Sequence, residues 1–238
     1  MDVSTIVILS AVILVAAFIQ GTVGVGFALI VAPVFSLLQP ELIPVALLII
    51  MLPLNFYVAA RERHGLDKPG VGWITIGRTL GTFIGVGILL VISAKALNIF
   101  VGLSTVLAAV LSLAAPSFVP GPKTLATAGL VTGVTETATG IGGPPLALVY
   151  QHHPPQVLRS TIAACFLIGE IISLIFLAVG GKLETSLVLD SLKLMPAVLG
   201  GAVLSRLVHK KVGGKGLRAA VMIFAIAAGL FLLGKELF

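Results

Sequence analysis

Charge is what this sequence has least of: 10% of its 238 residues are charged and 58% are hydrophobic, whereas a soluble domain carries about 25% charged residues. An aqueous globule is excluded, and an integral membrane protein remains. Aromatics are scarce too, with one Trp and two Tyr, too few for the interfacial girdles of an outer-membrane barrel. The apolar residues come in runs of about 17 to 25, not in alternating stretches of about 10, so helices span the lipid. A single cysteine, Cys165, excludes an internal disulfide and paired-thiol chemistry. Lying in an apolar helix, it reads as a small buried filler. The net charge of +6 sits in loops between apolar runs, as membrane orientation requires, so no nucleic-acid partner is expected. Met1-Asp2-Val3 supplies no basic flank and no small-residue cleavage site follows the run ending near Ala17, so the first segment is expected to stay in the mature protein.

Six segments have the length and composition of ordinary spans, at about 41–60, 70–92, 96–115, 156–180, 186–208 and 217–236. Two others do not. From Val3 to Pro40 no charge occurs, and a continuous helix there would be about 57 Å long, nearly twice the hydrocarbon thickness. Glycine marks the break: Gly21, Gly24 and Gly26 in GTVGVGF separate arms of about 17 and 14 residues. The second such segment, about 124–150, breaks at ETATGIGGPP, where Gly140, Gly142 and Gly143 precede Pro144 and Pro145. The prolines are expected to end the incoming helix.

The halves resemble one another. A shift of 116 places Gln20 on Glu136, Gly24 on Gly140 and Gly26 on Gly142; a shift of 115 places Asn55 on Glu170, Arg78 on Lys193 and Gly85 on Gly200. The chain therefore reads as two copies, 1–115 and 124–238, joined by a proline-rich stretch at 116–123. If each broken segment folds back as a hairpin, Arg61, Arg63, Lys68, Lys123, Arg159, Lys210, Lys211, Lys215 and Arg218 share one face, against Lys95, Lys182 and Lys235 on the other. That bias makes the first face cytoplasmic and puts both termini outside, in a multi-pass protein of the cell inner (plasma) membrane. A hairpin plus three crossings is an odd count, so the second copy is inserted upside down. The expected fold is an all-α polytopic membrane protein of two inverted repeats, each a Gly-broken, re-entrant helical hairpin plus three transmembrane helices. Inverted repeats with broken helices belong to secondary transporters.

Two breaks at corresponding places locate a cavity, because irregular backbone is tolerated at membrane depth only inside protein or against water. Helices starting after Gly26 and Gly142 would aim N–H groups and positive dipole ends inward, which suits an anion; alternatively these glycines serve close helix packing, as Gly77, Gly81 and Gly85 do in a small-xxx-small row. GTVGVG lacks the strand and acidic residue of a dinucleotide fingerprint. Ionisable residues inside spans mark a functional path by default; here they are Arg78, Lys193, Glu136 and Glu170, with Asp190 and Arg206 nearer a helix end. Arg78 and Lys193 suit a cation on either side of a central anion, or equally a snorkelling or ion-paired role. Gln20 and Asn55 offer amide donors to an oxyanion where the other half offers Glu136 and Glu170, which either couple a proton to anion movement or are structural carboxyls bonded to Thr135, Thr137 and Thr139. His152 and His153 lack metal-ligand partners at helical spacing, and no Walker loop is present. No metal, cofactor or enzymatic constellation is expected.

GTVGVGFALIVAP and GVTETATGIGGPPLAL, one opening each half, and RSTIAACFLIG in the second, resemble the TauE/SafE family of sulfite and organosulfonate exporters. The likeness covers essentially the whole chain. The family's motif falls on Gly21, Gly24, Gly26 and Pro33, and on Gly133, Gly140, Gly142, Gly143 and Pro144; the sequence departs at Phe27, where the second copy keeps Gly143, so unequal hairpins are expected. The resemblance implies an exporter of a small sulfur-containing anion, sulfite or an organosulfonate such as sulfoacetate, working by alternating access. Substrate contacts fall on Gln20, Gly21, Gly24, Gly26, Asn55, Arg78, Glu136, Gly140, Gly142, Gly143 and Lys193. An anion channel, or a carrier of another small organic anion, is the alternative. The partners expected are the anion and the lipid bilayer, with room left for a homodimer.

Overall fold

A computed structural model describes residues 1–114, 120–208 and 214–237. Residues 116–119 of the joint expected at 116–123, and Lys210 and Lys211, lie outside the described residues. Among the described residues ten α-helices follow in chain order: α1 (Val3–Val23), α2 (Phe27–Leu38), α3 (Val45–Arg61), α4 (Lys68–Val91), α5 (Ala94–Ala114), α6 (Pro122–Thr139), α7 (Gly143–Tyr150), α8 (Pro155–Val179), α9 (Thr185–Val208) and α10 (Gly214–Leu237). Among the described residues there is no strand. Six helices are long and apolar enough to cross a membrane: α1, α4, α5, α8, α9 and α10.

Five of these match the ordinary spans read from the sequence. The sixth differs. The segment at 41–60 opens with a 3₁₀ turn at Pro40–Leu42 and leaves α3 only 17 residues, about 25 Å, because Pro40 and Pro44 bracket a turn that no helix can run through. The arm before the first break is longer than expected, 21 residues, and the arm after it shorter, 12.

Both breaks are built the same way. Gly24 ends α1 in the left-handed region at φ 96°, and Gly140 ends α6 there at φ 78°. In each the glycine N–H closes the last turn at 2.7 Å, onto the carbonyl of Gln20 in one and of Glu136 in the other. Glycine is the residue that reaches this conformation without a Cβ penalty. The prolines act otherwise than expected: Gly140 ends the incoming helix, while Pro144 and Pro145 occupy the first turn of α7, where their fixed φ suits a helix start and their missing N–H breaks no intrahelical bond.

The helices cross in reciprocal fashion. α4 packs on α6 and α1 on α9; α3 packs on α8 and α9, and α4 on α8; α5 packs on α10. The α4–α6 crossing is made by glycine: a Cβ on Gly77 or Gly81 would strike the carbonyls of Ala126 and Leu130, and one on Gly129 or Gly133 those of Ile74 and Arg78. Removing side chains lets backbones meet where hydrocarbon offers no hydrophobic drive for association. Large apolar side chains face outward, Val91 and Val179 being more than four-fifths exposed, as a lipid-facing surface demands. The polar groups lie inside: Gln20, Asn55, Arg78, Thr132, Glu136, Thr137, Glu170 and Ser173 are buried.

Gly81→Leu is expected to destabilise the protein by about 1–3 kcal/mol or more through overpacking, read as a lower Tm in detergent. Gly87→Leu on the same helix, where a Cβ meets nothing within 4 Å, should leave Tm nearly unchanged. Equal effects of the two would remove the glycine crossing as the basis of α4–α6 association.

Candidate functional site

The two breaks meet. A cavity of about 10 Å³ is lined by Gln20, Gly26, Ala28 and Leu29 from the first, by Ile141, Gly142 and Gly143 from the second, and by Met51 of α3 and Phe166 of α8. That is room for about one water, so a polyatomic ligand enters only if the surrounding helices move apart. A Cβ on Gly143 would sit 4.0 Å from Val25 and 3.9 Å from Phe166, which places the breaks in contact distance of each other.

The backbone donors at the breaks are fewer than the sequence suggested. In α2 the Phe27 N–H is taken by the Gln20 side chain, whose Oε1 accepts it at 3.0 Å. Gln20 thus uses its carbonyl as a cap and keeps its amide NH₂, the donor expected of it, to offer the cavity. In α7 two of the first four positions are proline and carry no N–H at all. The second break is also braced from within, the Thr132 hydroxyl donating to the Gly142 carbonyl at 3.2 Å and the Ile141 N–H to Thr139 Oγ1 at 3.2 Å.

Behind Gly142 and Phe166 lies a fully buried ion pair. The Arg78 Nη2 contacts Glu136 Oε2, each side chain being 1% exposed, and Arg78 Nη1 donates to the Cys165 carbonyl at 3.1 Å. The guanidinium lies 5.7 Å from the Phe166 ring centroid and fills the place a side chain on Gly169 would need. Glu136 itself reaches the back of Gly142, where a Cβ would strike its carboxylate. The threonines once expected around Glu136 bond elsewhere: Thr135 to the Val131 carbonyl, Thr137 to Ser173 and Thr139 to the Thr135 carbonyl. A buried carboxylate needs a cation more than it needs hydroxyls. Beside this pair, Asn55 Nδ2 donates to Glu170 Oε1 at 2.6 Å, joining α3 to α8.

The structure therefore gathers Gln20, Gly26, Gly142 and Gly143 at the cavity, with Arg78 and Glu136 directly behind it and Asn55 bonded to Glu170 in the same buried interior. Gly21 and Gly24 stand off it. A Cβ on Gly21 would strike Ser205 of α9, and one on Gly24 the Arg159 stem, so both serve helix approach. Gly140 turns against Leu47 of α3. Lys193 is not brought to the site: its Nζ bonds Asp190 Oδ1 at 2.6 Å and its side chain is 51% exposed. One helical turn separates those two residues, and on an exposed face the local carboxylate wins over a distant cavity. Sequence reasoning did not find Met51, Phe166 or Gly169, apolar or small residues with no chemical signature of their own. The one available signal was Gly169, set beside Glu170 within an apolar helix.

Arg78→Met leaves Glu136 buried without its cation and is expected to cost about 3–5 kcal/mol, seen as a large drop in Tm. The double variant Arg78→Met, Glu136→Gln should recover much of that loss. Strictly additive effects would show that the two side chains do not form the pair.

With the geometry in view, comparison with known proteins gives one match. The family described as sulfite exporter TauE/SafE matches residues 9–232, nearly the whole chain. No curated protein and no solved structure matches significantly. A transporter family fits apolar spans that enclose a small cavity between two broken helices, and this chain belongs to the TauE/SafE sulfite exporter family.

Proposed function

We propose that this protein exports a small sulfur-containing anion, sulfite or an organosulfonate such as sulfoacetate, through the plasma membrane by alternating access around the cavity between the two breaks. The observation that carries the reading is the cavity itself, bounded by Gly26 on one side and by Ile141, Gly142 and Gly143 on the other, in a chain of an exporter family. Glycine walls let a ligand approach backbone N–H groups, and Gln20 offers an amide donor. Behind Gly142 and Phe166 the Arg78 guanidinium offsets the Glu136 carboxylate, which would otherwise repel an anion at the cavity.

The two halves, 1–115 and 124–238, are read as inverted repeats that rock against each other. Support comes from the reciprocal crossings: when α1 to α5 are matched to α6 to α10, the α1–α9 contact maps onto α6–α4 and the α3–α9 contact onto α8–α4, while α3–α8 and α5–α10 map onto themselves. Asn55 and Glu170, equivalent by the repeat, bond to each other, as residues near a pseudo-two-fold axis do. The cation bias assigns the 61–68 and 151–159 loops to the cytoplasm and both termini to the outside. An inside-negative potential then favours anion exit by about 2.3 kcal/mol per charge per 100 mV. Glu136 and Glu170 are the candidates for a coupled proton, since both are buried while Arg78 pairs with Glu136 and Glu170 has the neutral Asn55 amide beside it, and an uncompensated buried charge is strongly disfavoured.

Purified protein in liposomes loaded with ³⁵S-sulfite should release it faster when the interior is made negative, and external sulfite should accelerate the exchange, as for a carrier. Gly143→Leu, which has no left-handed backbone to strain and no neighbour closer than 3.9 Å to its Cβ, should fill the cavity and abolish flux while the protein still inserts, with a lowered Tm because its four carbons exceed the room for one water. Flux no faster than from empty liposomes across sulfite, thiosulfate and sulfoacetate would overturn the transport reading, and normal flux through Gly143→Leu would remove the cavity as its route.

A further inference from the structure

At the end of the structure holding the 61–68 and 151–159 loops, three charged side chains meet beside the first break. Arg159, in the first turns of α8, donates from Nε to both carboxylate oxygens of Glu62, at 3.1 and 3.0 Å. Arg61, the last residue of α3, donates from Nη2 to the same Glu62 Oε1 at 2.7 Å. The three are only 9–17% exposed, so their charges are poorly screened.

The cluster is unbalanced in charge and in hydrogen bonding. Two guanidiniums share one carboxylate, leaving one positive charge over, and Glu62 Oε1 accepts from both. Arg61 Nη1 is buried and has no partner, although a charged donor left unmet costs more than a neutral one. Arg61 is held in place by the Tyr57 ring, 5.3 Å from its guanidinium carbon. The other carboxylate on these loops, Asp67, is already engaged by the Tyr150 hydroxyl at 2.7 Å and by the Gly70 N–H at 3.1 Å. A clamp between α3 and α8 would need only Glu62 and Arg159. The second arginine and its spare donor are explained by a ligand that brings its own oxygens.

Position indicates which ligand. The Arg159 stem lies where a Cβ on Gly24 would be, and Gly24 stands two residues before Gly26, which lines the cavity. The cluster is therefore the outer neighbour of the break through which the cavity would be reached from this side. Guanidinium forks match pairs of oxygens on a planar or pyramidal oxyanion, and a net positive vestibule raises the local concentration of anions.

We propose that Arg61 and Arg159 form an anion-recruiting site outside the cavity, taking a small oxyanion of the sulfite or sulfonate type in exchange for Glu62. This rests on the transport reading and adds a second site to it. On arrival the anion accepts from Arg61 Nη1 and from Arg159, Glu62 is released from Arg159, and the contact that holds α3 to α8 over Gly24 loosens. The carboxylate acts as a resident competitor for the substrate.

The sign of its removal tests the idea. In proteoliposomes oriented with this face toward the sulfite pool, Arg61→Gln should raise KM for ³⁵S-sulfite about tenfold, the size of one charge-assisted hydrogen bond, with Vmax changed far less, and should weaken the dependence of KM on ionic strength. Arg159→Gln should act in the same direction. Glu62→Gln should lower KM several-fold, because the competitor is gone. If Glu62→Gln instead raises KM together with Arg159→Gln, the pair is only a clamp and the proposal falls. Arg61→Gln keeps the Glu62–Arg159 pair intact, so an unchanged KM in that variant also overturns it, even if Glu62→Gln fails to fold. Wild-type flux alongside either result leaves the transport reading standing, whereas no wild-type flux removes both.

Discussion

Hydrocarbon cannot solvate a peptide group, and that constraint organises this molecule. An unbroken helix hides its own N–H and C=O groups, but a helix interrupted at membrane depth exposes several, each costing several kcal/mol unless protein meets it. The two interruptions here are closed by the chain itself. Gly24 and Gly140 fold back onto the Gln20 and Glu136 carbonyls, the Gln20 side chain caps Phe27, and Thr132 and Thr139 brace the second break. What remains uncovered is a space for about one water, walled by both breaks. The cost of breaking two helices is concentrated at one point.

The same constraint explains the ion pairs. Charge inside a bilayer survives only in company, and Arg78 and Glu136 are buried together behind the cavity wall. Lys193 and Gln20, the residues that shifts of 115 and 116 along the sequence set against them, do not pair. Gln20 turned inward to cap a helix, and Lys193 turned outward to Asp190. One side of the interior therefore carries a salt bridge and the other a neutral amide. That asymmetry is in keeping with the departure at Phe27, since the two breaks share a backbone design but not a set of side chains.

Much of this was legible in the chain. Scarcity of charge dictated helices in lipid, and the uncharged length from Val3 to Pro40 required a break. The glycine strings located both breaks to within a residue or two, because few residues but glycine end a helix in the left-handed region. Gly77, Gly81 and Gly85 announced a close crossing. The family resemblance rested on the same strings. Less legible was the function of proline, which read as a terminator and served as an initiator at α7: it is barred from a helix interior but fits a first turn, so the same residue can follow one helix or open the next.

Local chemistry, then, settles where a chain of this composition must turn, for the energies involved belong to single residues and their immediate backbone. Partnership was decided only by the fold. That Glu136 meets Arg78 and not its neighbouring threonines, that Asn55 meets Glu170, that Phe166 and Met51 close the cavity, and that Glu62 holds Arg159 over Gly24 are facts about helices far apart in sequence. Such contacts depend on crossing angles and on the absence of side chains at Gly133 and Gly169, and no periodicity along one helix encodes which face of another it will meet.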